Sequence, residues 1–163
     1  MDNSQIQVLF DNVMADFSSD TELSPELIQS RRNRILQLQE AIESLPDSFG
    51  PDKINEGKLQ HHFATGVYGR ELFIPKGNLI VSKIHKGKTL NVIASGRIAV
   101  ICPNHGYNVF EAPYCFVSNP LSKRVVIAIE DTLWITAHGT HKTDLNEIED
   151  EIIAKDFAEG ESK

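Results

Sequence analysis

Two hydrophobic rhythms alternate along this chain and divide it into a helical front, a strand-rich middle and a helical back. Residues 1–23 are polar and acidic around one apolar cluster, Ile6, Val8, Leu9, Phe10, Val13, Met14 and Phe17. That pattern fits a short docking helix, and it also fits a mobile arm. Ser24-Pro25-Glu26 then gives a capping hydroxyl, a proline in the first helical position and an acid near the positive helix end. Ile28, Ile35 and Ile42 recur every seven residues, with Leu38 and Leu45 three after the second and third, until Pro46 stops the pattern. This narrow stripe serves either packing against the rest of the chain or self-association.

Residues 46–57, with Pro46, Gly50, Pro51, Asn55 and Gly57, read as a linker. Beyond them the period shortens to that of strands, expected over 67–74, 78–85, 89–94, 97–102, 107–111, 114–117, 124–130 and 132–138. Pro75-Lys76-Gly77, Lys86-Gly87-Lys88, Ser95-Gly96, Pro103-Asn104-His105-Gly106 and Ser118-Asn119-Pro120 separate them. Many short strands at close spacing predict a mainly β fold, a barrel or jelly roll. From Thr143 to about Phe157 the pattern is helical again, with Leu145, Ile148, Ile152 and Ile153 apolar among acids. The expected organisation is an acidic arm (1–23), a helix and linker (24–56), a β body (57–142) and an acidic helix with its tail (143–163).

The net charge of −7 conceals a segregation. Residues 57–142 hold ten Lys/Arg against four acids, whereas the flanks hold six against nineteen. A basic body between acidic flanks favours solubility, and it also suits an anionic ligand. The same flanks repel duplex DNA, and the basic residues are not interleaved with aromatics, so nucleic acid is not an expected partner. No apolar run reaches membrane-spanning length and the first residues do not form a secretory signal. A cytoplasmic protein with Cys102 and Cys115 as buried, reduced thiols is the expectation.

Gly77, Lys83, His85, Thr89 and Gly96 stand at intervals of six, two, four and seven. These intervals resemble the first motif of the cupin superfamily, in which a His-x-His pair and a Glu would hold a metal. Lys83 and Thr89 stand at the places of the first His and the Glu. The second motif would correspond to Asn119-Pro120-Leu121-Ser122-Lys123-Arg124, with Arg124 at the place of the last metal His. More narrowly, Arg70 to Gly77, Lys83 to Lys86, Leu90 to Val92, Glu130 to Thr136 and Asp144 to Glu149 resemble small cupin-domain proteins encoded by tailed bacteriophages. The resemblance implies a cupin-like jelly roll with an N-terminal helix and a C-terminal acidic helix, a homo-oligomer, and a phage-encoded protein acting in the host cytoplasm.

Protonated Lys and Arg do not ligate divalent cations, and their charge repels them. A cation inside a β shell is costly unless it meets an anion or water. The first reading is therefore non-catalytic binding of a small anion such as a nucleotide or sugar phosphate. Its expected site is Lys83, Arg124 and Arg70, with His85, Thr89 and Asn91 as hydrogen-bond partners and Trp134 stacking; Glu71 is an alternative, purely structural partner for the cations. This reading needs no cofactor. The rival is a metal-dependent isomerase or dioxygenase with a displaced divalent transition metal on His85, Glu71, His138 and His62. A third reading is a virion component, or a module that binds a host protein through its acidic flanks. Phosphate-loop, dinucleotide, zinc-protease and nucleophile-elbow motifs are absent.

Overall fold

A computed structural model describes residues 3–17, 23–44 and 58–161. The elements in chain order are α1 (Asn3–Phe17), α2 (Pro25–Glu43), β1 (Leu59–Ala64), β2 (Val67–Ile74), β3 (Leu79–Val81), β4 (Ile84–His85), β5 (Thr89–Ser95) and β6 (Arg97–Cys102). They continue with β7 (Gly106–Glu111), β8 (Tyr114–Ser118), β9 (Val125–Ala128), β10 (Thr132–Gly139), α3 (Leu145–Ile152), β11 (Ile153–Ala154) and α4 (Phe157–Glu161). The linker expected over 46–57 lies outside the described residues.

The strands form a jelly roll of two facing sheets, ordered β1-β2-β10-β5-β8 and β3-β9-β6-β7, with β11 and β4 as a separate antiparallel pair. Alternation places Leu72, Ile74, Ile93 and Trp134 of the first sheet against Ile98, Val100, Val126 and Ala128 of the second. β6 is buried on both faces after Arg97, which explains its unbroken apolar run Ile98-Ala99-Val100-Ile101-Cys102. Its outward Ile101, with Val81 and Val125, packs under Val13 and Phe17 of α1 and Ile35 and Leu38 of α2. The apolar cluster near the start of the chain is therefore a docked helix.

Ser24 caps α2, its Oγ accepting from Leu27 N–H at 3.2 Å. The stripe of α2 faces the chain's own sheet, and the interrupting Arg31 is buried with it, stacked 4.5 Å over the Phe17 ring and donating to the Pro103 carbonyl. The opposite face of the five-stranded sheet leaves Val67, Phe73, Leu90 and Val117 exposed.

Three local expectations change. Leu59–Ala64 forms an additional strand, pairing with β2 from Leu59↔Leu72 to Ala64↔Val67. The run 78–85 breaks at Ser82-Lys83 into β3 and β4. The expected last helix ends at Ile152, where the chain turns extended and pairs Ile153↔His85 and Ala154↔Ile84. Both cysteines are free, but only Cys102 is buried; Cys115 is exposed, pointing outward from β8.

Candidate functional site

The break between β3 and β4 sets up the site. In an unbroken strand Ser82 and Lys83 would point to opposite faces. With the break, Ile80 and Ser82 face inward, and so do Lys83 and His85 after it. These side chains meet Tyr68, Arg70 and Leu72 from β2, Trp134, Thr136 and His138 from β10, and Arg124 and Val126 at the start of β9. Together they line one cavity of about 260 Å³. Helix α3 and β11 roof it with Leu145, Ile148, Glu149, Ile152 and Ile153. The roof is strapped to β4: Lys86 N–H donates to the Ile152 carbonyl at 2.8 Å, and Lys86 Nζ donates to the Asp150 carbonyl.

Arg124 is 4% exposed. Its backbone is fixed by a reciprocal pair with Ser82, whose Oγ accepts from Arg124 N–H and whose own N–H donates to the Arg124 carbonyl, both at 2.9 Å. Burial lowers its pKa, yet a guanidinium starts so high that it stays charged. Its Nη2 is buried with no hydrogen-bond partner among the described residues. The hydroxyl of Thr136, which lines the same cavity from the facing sheet, is likewise buried and has no hydrogen-bond partner among the described residues. Buried polar groups without partners are rare and costly.

Lys83 stands nearer the mouth, where its Nζ lies 2.6 Å from Glu149 Oε1 of the roof. The carboxylate that meets this lysine therefore comes from the acidic C-terminal helix. Glu71, the partner expected for the buried cations, points to the outer face of β2 and bonds His62 Nε2 at 3.1 Å.

The imidazoles inside are neutral at pH 7. Burial, helped by His138, Arg124 and Arg70, pushes His85 down to about 3. Burial and Arg70 push His138 down to about 4. Their ring centroids are 5.2 Å apart. Burial also lowers His61 and raises Tyr68, whose hydroxyl lies 2.8 Å from His61 Nδ1.

Lys83, His85, Arg70, Arg124 and Trp134 thus share the cavity, together with His138. Thr89 and Asn91 do not line it. Both are fully buried on β5, the strand next to β10 in the same sheet. There they position their neighbours: Thr89 Oγ1 is 2.9 Å from His85 Nδ1, and Asn91 Oδ1 accepts from Trp134 Nε1 at 3.2 Å. The four-residue metal set does not assemble. His62 and Glu71 face outward from the sheet whose inner face carries His138, and His85 is also inside; strand parity separates the two pairs. Among the described residues no group of three or more His, Cys, Asp or Glu is placed to hold a metal ion. His61, Tyr68, Ser82, Thr136 and Glu149 line the cavity without having been among the expected site residues. The i, i+2 spacing Tyr68-Arg70-Leu72 and Trp134-Thr136-His138 held the signal for two of them.

No protein-family model matches the sequence, and no curated protein matches it. Solved structures do. An ectoine synthase from P. lautus superposes with a TM-score of 0.48 at 11% identity, over 68% of this chain and 82% of its own. An RmlC-like cupin family protein with a double-stranded β-helix fold, from Methanocaldococcus jannaschii, gives 0.45 at 12% identity, over 57% and 87%. A cupin-2 domain protein from Shewanella frigidimarina gives 0.44 at 6% identity, over 53% and 83%. Such identities and scores transfer no activity to this chain. Among the described residues no helix is long and apolar enough to cross a membrane.

Proposed function

We propose that this chain captures a small organic anion without turning it over, with the acidic head on Arg124 and the body along the apolar wall. The observation that carries the reading is Arg124, which lines the cavity and whose buried Nη2 has no hydrogen-bond partner among the described residues. A forked guanidinium suits a carboxylate or phosphate. The Thr136 hydroxyl and the neutral His85 and His138 supply hydrogen bonds that do not compete for the charge. Ile74, Ile80, Val126 and the Trp134 ring offer the body an apolar surface.

The cavity of about 260 Å³ lies below the roughly 300–1,000 Å³ of sites that enclose drug-sized molecules. That favours an acid or phosphate of sugar size or smaller over a whole nucleotide. The metal-enzyme reading has no comparable support, since two of its four residues lie on the outer face. The resemblance to phage-encoded proteins adds the reading that the captured anion is a host metabolite.

The test is Arg124→Met, measured by calorimetry against a panel of small carboxylates and sugar phosphates and by urea unfolding without ligand. Binding should fall at least ten-fold. The empty protein should become more stable by about 1–4 kcal/mol, because a buried, unpaired charge is replaced by an apolar chain. Unchanged binding overturns the proposal, as does a clear loss of stability, which would show that Arg124 serves the fold.

A further inference from the structure

The cavity is electrically lopsided along its depth. At the inner end Arg124 presents a charge with no acid beside it among the described residues. At the mouth Glu149 presents a negative charge, and Lys83 is already engaged with it at 2.6 Å. The two differ in exposure: the Lys83 side chain is 22% exposed and that of Glu149 is 54%. Glu149 acts across the opening as well as on its lysine, since its charge reaches Tyr68 and raises the phenol further, against the lowering effect of Arg70. Arg70, opposite Thr136 on the paired strand, adds a second positive charge to the wall, while His61, His85 and His138 are depressed toward neutrality, so among the described residues Glu149 is the one acid lining the cavity.

From this arrangement we infer that Glu149 is a specificity residue that restricts the site to anions charged at one end only, monocarboxylates with a neutral tail being the fitting class. This rests on the anion reading above. A ligand seated head-first on Arg124 has its other end under α3. A neutral tail there packs against Leu145, Ile148 and Ile152. A second carboxylate there meets the Glu149 carboxylate and finds Lys83 already neutralised. Like charges brought together in a partly enclosed space are strongly unfavourable, and such repulsion is how sites reject near-identical competitors. Lys83 holds the roof acid in place, so the pair works as a unit.

The experiment uses matched straight-chain acids: butyrate against succinate, valerate against glutarate, and hexanoate against adipate. Dissociation constants are measured by calorimetry at fixed ionic strength for the full chain, for Glu149→Gln and for Lys83→Met. In the unaltered protein each monocarboxylate should bind about ten-fold or more tightly than its dicarboxylate partner. Glu149→Gln keeps the shape and releases Lys83. Dicarboxylates should then gain about ten-fold while monocarboxylates hold steady. Lys83→Met leaves the acid unopposed and should widen the original preference. A preference that Glu149→Gln leaves unchanged, or a dicarboxylate that binds the unaltered chain as well as its partner, overturns this inference while sparing the role of Arg124. If none of these acids binds the unaltered chain, this inference falls together with the carboxylate form of the anion reading.

Discussion

Replacing Asn91 with Leu probes the hydrogen-bonded layer that supports the cavity floor. Asn91 is fully buried. Its Nδ2 donates to the Thr89 carbonyl at 2.8 Å and to Ser118 Oγ at 3.2 Å, and its Oδ1 accepts from Trp134 Nε1 at 3.2 Å. Leucine is close in volume, so packing terms are small and the polar loss dominates. The three losses are unequal. Ser118 Oγ still donates to the Thr89 carbonyl at 3.3 Å, so both keep a partner. Each of those two lost bonds costs about 0.5–1.5 kcal/mol. The indole N–H is left with no acceptor, and a buried orphan donor costs about 1–3 kcal/mol. The expected total is about 2–6 kcal/mol. Trp134 is the only tryptophan, so its emission during urea unfolding reads the site directly. A double-mutant cycle with Trp134→Phe, followed by circular dichroism, should return a coupling of about 1–2 kcal/mol, because removing the donor relieves the orphan. A single-variant loss below about 1 kcal/mol, or no coupling, refutes the assignment of Asn91 as the support of the indole.

Acid should weaken the fold in a defined window. His85 titrates at about 3 and His138 at about 4 when folded, against 6.5 when free, so below pH 6.5 the unfolded chain takes up protons that the folded one refuses. The stability is therefore fully present above pH 6.5 and declines as pH falls, by roughly 4 kcal/mol between pH 7 and 5 for the pair. Urea midpoints at the two pH values test this, and His85→Asn should remove about half of the slope; an unaltered slope refutes it. Two glycines of the same sequence motif should respond differently to alanine. Gly96 has φ +83°, and a Cβ there collides with the Asp131 carbonyl, so Gly96→Ala should cost several kcal/mol or prevent folding. Gly77 has φ +81° and open space around it, so its alanine variant should cost only about 1–2 kcal/mol in a thermal melt.

Alternation was enough to place most strands, because Tyr68-Arg70-Leu72-Ile74 and Trp134-Thr136-His138 each expose one face to the interior and the other outward. It failed where the backbone departs from regular repetition. β1 reads Leu-Gln-His-His-Phe-Ala, with too little apolar contrast to stand out, and it forms because β2 offers an edge. The break at Ser82-Lys83 carries no glycine or proline; it is fixed by the pairing of Ser82 with Arg124, some forty residues away. For the site, spacing brought Lys83, His85 and Arg124 to attention, and the cavity unites them. Thr89 and Asn91 share that inward parity, yet both are fully buried and bond to His85 and the Trp134 indole instead of lining the cavity. Glu149 was legible only as one acid in an acidic helix. That it meets Lys83 depends on how α3 folds back over β4, which no local pattern encodes.

The roof has a consequence for how the protein is made. The strands that form the floor leave the ribosome before α3 and β11, so the nascent chain passes through a stage as an open bowl. The cavity-lining side of Ile80, Val126 and Trp134 has no roof until Ile153 and Ala154 pair with β4. A chain cut short before residue 145 would be held at that stage, with its apolar lining on offer to chaperones and to other bowls.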